Sequence, residues 1–230
     1  MINEKLKIKI LGNGFVAGHL KRNFAPFLSD NIEKADIVIN TVGILKEEKH
    51  TFEDSHIEYV KKLIPKLKNK KLIHFSALGA EKNHPSRYKH TKAVAEEIIK
   101  ENLRNYAILK PSIILGEGQK LYDDLKRFEN MPIIFAPKMK VAPVKIETVI
   151  KKTEEIIQND LTGEFELCGN EMSMKELFGE VFKSFNKKPL IIEMPKWYFG
   201  LMLPLLSYFK ILTKDEYLMI EDNICRRKHG

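Results

Sequence analysis

The 230 residues lack a metal-ligand cluster, a serine-hydrolase or zinc-protease signature, and an apolar run long enough for a bilayer. Cysteine is scarce: only Cys168 and Cys225 occur, with no metal-ligand spacing around either. His19, His56, His74 and His90 have neither the spacing nor the carboxylate partners of a metal site, so they read as surface or packing histidines and no metal is expected. No G-x-S-x-G and no H-E-x-x-H pattern is present, which argues against those two hydrolase chemistries. The longest apolar stretch, Trp197 to Phe209, carries Pro204 and falls short of the ~20 residues a spanning helix needs. It reads as a buried or interfacial helix, with packing inside its own domain the weightier choice.

A secretory leader is also missing from the charged opening Met1 to Lys5, and with so few cysteines the expectation is a reducing, cytoplasmic setting. Repeats, low-complexity tracts and flexible linkers are absent, and 43% hydrophobic residues suffice for one substantial core. The expectation is therefore a single domain over 1–230, with 165–230 forming a small C-terminal lobe. Net charge is +8, from 39 basic and 31 acidic residues scattered along the chain with only short tracts such as Lys61-Lys62 and Arg226-Arg227-Lys228. Scatter of that kind reads first as a solvated surface and second as a preference for acidic ligands or membrane surfaces. Nucleic acid is not an expected partner, since no motif or basic-aromatic clustering supports it.

What is present is an alternation of strand and helix. Lys7 to Leu11 alternates and breaks at Gly12-Asn13-Gly14, after which Phe15 to Leu28 has helical spacing. Ala35 to Asn40 is a short apolar-centred run suited to a strand covered on both faces. Thr51 to Asp54 caps a helix reaching about Lys68. Lys71–Phe75 reads as a strand, Arg87–Asn102 as a helix and Tyr106–Leu109 as a strand. Beyond Gly118 the order loosens, with helices over Leu121–Phe128 and Ile146–Gln158, an apolar piece at Ile133–Ala136 and a returning strand at Phe165–Leu167. Ser173-Met174-Lys175-Glu176 and Thr213-Lys214-Asp215-Glu216 are capping boxes that open two later helices. Such an order predicts an α/β fold, a doubly wound parallel sheet joined by right-handed crossovers.

Two patterns carry chemistry. Gly12-Asn13-Gly14-Phe15-Val16-Ala17 fits the G-x-G-x-x-G/A turn after the first strand of a dinucleotide-binding fold, where the glycines allow the turn and the pyrophosphate, and Ala17 allows close packing. Tyr88 and Lys92 lie four apart at a helix start and so share a face. A tyrosine becomes a general acid or base when a nearby ammonium stabilises its phenolate. Ser76, at the carboxyl end of a strand, is placed to hold the reacting substrate oxygen.

Asp36 to Leu45, Phe75 to Ala80, Ser86 to Lys92, Leu109 to Gly116, Pro143-Val144 and Phe165 to Gly169 together resemble the atypical short-chain dehydrogenase/reductases, in the branch of the nucleotide-binding accessory subunit of respiratory complex I. The similarity continues through Leu212–Asp215 to Glu221–Asn223. It implies NAD or NADP over the carboxyl ends of the strands, touched by Gly12, Asn13, Gly14, Phe15, Val16, Thr41, Val42, Gly43, Ser76, Ala77, Tyr88, Lys92, Pro111, Ser112 and Ile113. It also implies an oxidoreductase acting on an unnamed carbonyl or hydroxyl substrate, with Tyr88, Lys92 and Ser76 catalytic. The alternative is a non-catalytic scaffold or assembly factor, with a membrane-associated protein as partner and the chain peripheral to the membrane.

One departure stands out. Only 24 positions separate Gly12 from Asp36, enough for one helix and one loop but not for two further strands and another helix. Two assignments follow: the second and third strands of the family pattern are lost or reduced to Asn23–Ala35, or Ile37–Asn40 is itself the second strand. On either one the usual reader of the adenosine ribose is missing, and weakened binding with little preference between NAD and NADP is expected.

Overall fold

The computed structural model describes residues 5–116 and 118–225. The elements, in chain order, are β1 (Ile8–Leu11), α1 (Phe15–Asn23), β2 (Ile37–Asn40), α2 (Tyr59–Leu67), β3 (Lys71–Phe75), α3 (Arg87–Asn102), β4 (Tyr106–Pro111), β5 (Ile114–Leu115) and α4 (Lys120–Lys126). They continue with β6 (Ile133–Pro137), β7 (Lys140–Val141), β8 (Val144–Lys145), α5 (Ile146–Gln158), β9 (Gly163–Leu167), β10 (Met172–Ser173), α6 (Met174–Ser184), β11 (Leu190–Met194), α7 (Lys196–Tyr208) and α8 (Lys214–Leu218). Two compact units result: residues up to Pro111 together with Lys145–Leu167, and Ser112–Val144 together with the chain from Cys168 onward. The basic tract at 226–228 and the opening residues 1–4 lie outside the described residues.

The first unit is built on a five-stranded sheet in the order β1-β2-β3-β4-β9, with every pairing parallel. Period-two alternation sends Val38, Leu72 and Ile108 to one face, where Val60, Leu63 and Leu67 of α2 and Ala95 and Ile99 of α3 bury them. Ile8, Ile10, Ile37, Ile39, Ile73 and Leu109 are buried on the opposite face, and α1 packs on β1 and on α5. Both faces are therefore apolar, as parallel strands covered by helices require.

The edge beyond β1 settles the two assignments of the shortened half. α1 ends at Asn23 rather than Leu28, because Pro26 cannot continue it, and the chain turns through a 3₁₀ turn at Ala25–Phe27. Leu28 then forms an isolated parallel bridge with Ile8, and the Ser29 N–H donates to the Ile8 carbonyl at 2.8 Å. From there the chain crosses to the other side of β1 and forms β2. A single bridged residue thus occupies the place of the missing strands, and Ile37–Asn40 lies on the far side of β1 from it.

The second unit has three small pairings, β10 with β7, β11 with β6, and β5 with β8. Its core gathers Leu125, Ile134, Ala136, Val141, Leu177, Val181, Phe182 and Ile191. Both capping boxes form as their sequences predict, at Ser173 with Glu176 and at Thr213 with Glu216. Cys168 and Cys225, which showed no metal-ligand spacing, are joined in a disulfide across 57 positions, against the expectation of a reducing setting, where such bonds are rare. That bond fastens the chain after Asn223, which itself pairs with Val141.

Leu72 lies at the middle of the first unit's sheet with no exposed surface. Leu72→Ala is expected to lower the unfolding free energy by about 2–5 kcal/mol, read by urea denaturation. A change within about 0.5 kcal/mol, as at a surface position, would show that this sheet is not the stabilising core.

Candidate functional site

Because the sheet is parallel, the carboxyl ends of β1 to β4 share one edge, and the loops leaving them carry Gly12–Val16, Thr41–Gly43, Ser76–Ala77 and Pro111. Ser112 and Ile113 belong to the second unit, where the Ser112 hydroxyl donates to Asn223 Oδ1 at 2.6 Å.

At β1, the backbone of Gly12 has φ +112°, and an added Cβ would come within 2.4 Å of Thr41 Oγ1. Glycine is required there on both counts. Thr41 itself donates from Oγ1 to the Leu11 carbonyl at 2.7 Å, tying the β2 loop to the glycine turn. Around Gly14 an added Cβ would meet nothing within 4 Å, and α1 opens directly after it with no acidic residue in its first turn. That open, unshielded helix start suits a phosphate group. Lys21, which the sequence patterns did not single out, reaches back along α1 to donate to the Gly12 carbonyl at 2.8 Å and to Asn13 Oδ1 at 2.9 Å. A cation therefore rests on the turn.

Tyr88 and Lys92 lie on the first turns of α3, which Ser86 caps by accepting the Lys89 N–H. Lys92 is buried, and its Nζ donates to the Phe75 carbonyl at 3.0 Å. Burial lowers its pKa from 10.5 to about 8, while the Glu96 carboxylate pulls the other way. An added Cβ on Gly43 would come within 3.0 Å of Lys92 Nζ and 3.3 Å of His56 Nε2, so these three positions meet. The half-buried Tyr88 ring is held edge-on by Phe52 and His56, with centroids at 5.8 and 5.5 Å.

His56 has a larger part here than a packing histidine. It sits on a π-helical turn, Glu53–Glu58, where the expected capped helix begins with Thr51 accepting the Asp54 N–H. The Ile44 N–H donates to its Nε2 at 3.3 Å, so the proton is on Nδ1, which donates to Thr91 Oγ1 at 2.8 Å. Thr91 in turn donates to the Arg87 carbonyl. One neutral imidazole thereby couples the β2 loop to the helix that carries Tyr88. Burial, and then the Lys92 charge, lower its pKa to about 2. His74 is buried beside it in the sheet, with Nδ1 3.1 Å from the Asn40 amide nitrogen. The Asn40 carbonyl oxygen accepts from the Val42 N–H, which fixes that amide's orientation and leaves His74 Nε2 protonated and without a partner among the described residues.

Ser76 is brought to the same edge, but its hydroxyl donates to the buried carboxylate of Glu96. Glu96 pairs with Lys110 at 2.7 Å, and Lys110 with Glu164. No local pattern could have shown this, since Ser76 and Glu96 are 20 positions apart on different elements.

The NAD-binding family model described as Male sterility protein matches residues 33–161, more than half of the chain. The chain belongs to that family. It is similar to NADH dehydrogenase [ubiquinone] 1 alpha subcomplex subunit 9, mitochondrial, of Dictyostelium discoideum, at 31% identity over 46% of this chain and 32% of that one. The Arabidopsis thaliana protein of the same name is 26% identical over 75% of this chain and 47% of its own length. The chain thus spans a third to a half of these curated relatives. In fold it matches dTDP-4-dehydrorhamnose reductase of Bacillus anthracis, solved in complex with NADP, with TM-score 0.73 and 16% identity over 94% of this chain and 98% of that one. The relatives bear out the resemblance to the complex I subunit, the solved structure bears out the doubly wound fold, and the family model bears out an NAD-type cofactor. The glycine turn fits such a cofactor: Gly12 supplies its positive φ and Gly14 the open space.

His56 and His74 are neutral when folded and take up protons when unfolded below their ordinary value of 6.5. The unfolded chain then binds more protons, so stability is present above pH 6.5 and falls as the pH drops below it. The expected slope is about 1.4 kcal/mol per pH unit for each histidine. His74→Leu should remove about half of it, as measured by denaturation at a series of pH values between 5 and 7; an unchanged slope would show that His74 does not titrate on unfolding.

Proposed function

We propose that this chain is an oxidoreductase that binds NAD or NADP along the carboxyl edge of its first unit. Tyr88 exchanges a proton with the substrate oxygen. The observation that carries this reading is the delivery of Lys92, one turn after Tyr88 on α3, to the Phe75 carbonyl beside Gly43. Gly12, Asn13, Gly14, Phe15 and Val16 hold the phosphates, with Lys21 adding positive charge. Thr41, Val42, Gly43, Ala77 and Pro111 line the remainder. The bound nicotinamide supplies the hydride acceptor or donor. Lys92 favours the Tyr88 phenolate by its charge, and His56 keeps the ring of Tyr88 and the Gly43 loop in register. Ser76 donates to Glu96 in the free site, and turning that hydroxyl from Glu96 to the substrate oxygen would let it hold the oxygen whose proton Tyr88 exchanges.

Tyr88→Phe is expected to leave folding and nucleotide affinity nearly intact and to lower turnover about 10²- to 10⁴-fold. Lys92→Ala should reduce both turnover and nucleotide affinity. Equal turnover by Tyr88→Phe and the parent chain would remove Tyr88 from the chemistry.

A second reading is a non-catalytic scaffold or assembly factor of a membrane respiratory complex, peripheral to the membrane and held by a membrane-associated protein. It is favoured by the complex I subunits among the relatives and by the single bridged residue, Leu28, that stands for two strands. The same shortening predicts weak binding with affinities for NAD and NADP within about tenfold of each other, measured by titration calorimetry with each nucleotide. Tight binding with strong discrimination would mean that another segment reads the ribose.

A further inference from the structure

α7 is apolar on every side, a pattern that ordinarily marks a helix buried all round. This one is not. Phe199 is buried, and Gly200 lies so close to Tyr217 of α8 that an added Cβ would come within 2.7 Å of its hydroxyl. That side is the anchor. Trp197, Leu201, Leu205 and Tyr208 recur at helical spacing on the other side, and they are 66%, 73%, 50% and 81% exposed. Phe209 and Ile211 extend the exposed patch past the helix end. Sequence alone favoured packing inside the domain, but the outward half of the helix has no partner among the described residues.

We propose that this face lies in the surface layer of an anionic lipid bilayer, with the helix axis parallel to the membrane plane. Charge is what selects lipid as the occupant. From Pro195 to Lys214 there is no carboxylate, and the only charged residues are Lys196 before the apolar face and Lys210 and Lys214 after it. Lys196 turns to α8 and donates to the Leu218 carbonyl at 3.2 Å, so Lys210 and Lys214, past the helix end, are the lysines placed to meet phosphate headgroups beside a shallow insertion. A protein interface would instead carry more hydrogen-bonding groups, and lysine is depleted in such interfaces relative to the rest of the surface. Aromatic pairs stand at both ends, Trp197 with Tyr198 and Tyr208 with Phe209, where amphipathic rings favour the headgroup level. Thirteen residues make a helix about 20 Å long, too short to cross, and no helix among the described residues is long and apolar enough to span a membrane. The proposal is independent of nucleotide binding and of Tyr88.

Trp197 is the only tryptophan in the chain, so its fluorescence reports this face alone. On adding vesicles of phosphatidylcholine containing phosphatidylglycerol, the full chain should float with the lipid and its emission should move to shorter wavelength. Brominated acyl chains should quench it. Pure phosphatidylcholine should bind less. Leu201→Asp, at a position with little folded-state packing to lose, should weaken binding about tenfold or more, with circular dichroism unchanged. Lys210→Gln with Lys214→Gln should weaken it about thirtyfold. No blue shift and no flotation with the anionic vesicles would overturn the proposal. So would undiminished binding by Leu201→Asp, or a self-association abolished by Leu201→Asp in a chain that ignores lipid, which would make a second copy the occupant.

Discussion

The arrangement of the first unit's carboxyl edge depends on one enclosed ammonium. Lys92 sits beneath α3 with its Nζ on the Phe75 carbonyl, and a buried cation tolerates few kinds of neighbour. Its charge helps hold His56 and His74 neutral. A Cβ on Gly43 would come within 3.0 Å of its Nζ, so a side chain there would press on the ammonium. The one carboxylate that pulls its pKa upward, Glu96, is already committed to Ser76 and Lys110. Removing one partner from such a set leaves an unpaired buried charge, which costs more than the pair itself contributes. Loop, strand end and helix are thus held in mutual register by groups that none of them could bury separately.

This register matters because general acid–base chemistry requires both an altered pKa and a fixed position. The tautomer of His56 is set by a backbone donor on one side and Thr91 on the other. That imidazole carries the position of the β2 loop to the helix of Tyr88 without placing a charge near the phenol. A protonated histidine at the same place would compete with Lys92. Its low pKa therefore belongs with the geometry of the site as well as with its stability.

The shortened half and the second unit are consequences of different kinds. Loss of two strands leaves the edge of β1 to one bridge at Leu28, and an edge so short offers little template for further strand pairing. The phosphate turn survives because Gly12, Thr41 and Leu11 are linked on the inner side of β1. In the second unit, the disulfide and the Asn223 contacts fix the segment that follows α8, and Tyr217 of α8 is what holds the inner side of α7.

Much of this was legible in the sequence because it is local. The glycine turn, both capping boxes and the limits of Arg87–Asn102 and Ile146–Gln158 follow from turn chemistry and hydrophobic period within one element. That the first half is shortened followed from chain length, since 24 residues cannot hold two further strands and a helix, while the side of β1 on which Ile37–Asn40 pairs was decided by the sheet. Tertiary structure alone decided the rest. Ser76 meets Glu96 across 20 positions, His56 meets Thr91 across 35, and Cys168 meets Cys225 across 57. Such meetings are set by where crossovers return the chain, which no local periodicity encodes. The exposed face of α7 is of the same kind: its residues declare that it is apolar, and only the surrounding packing determines that half of it is left uncovered.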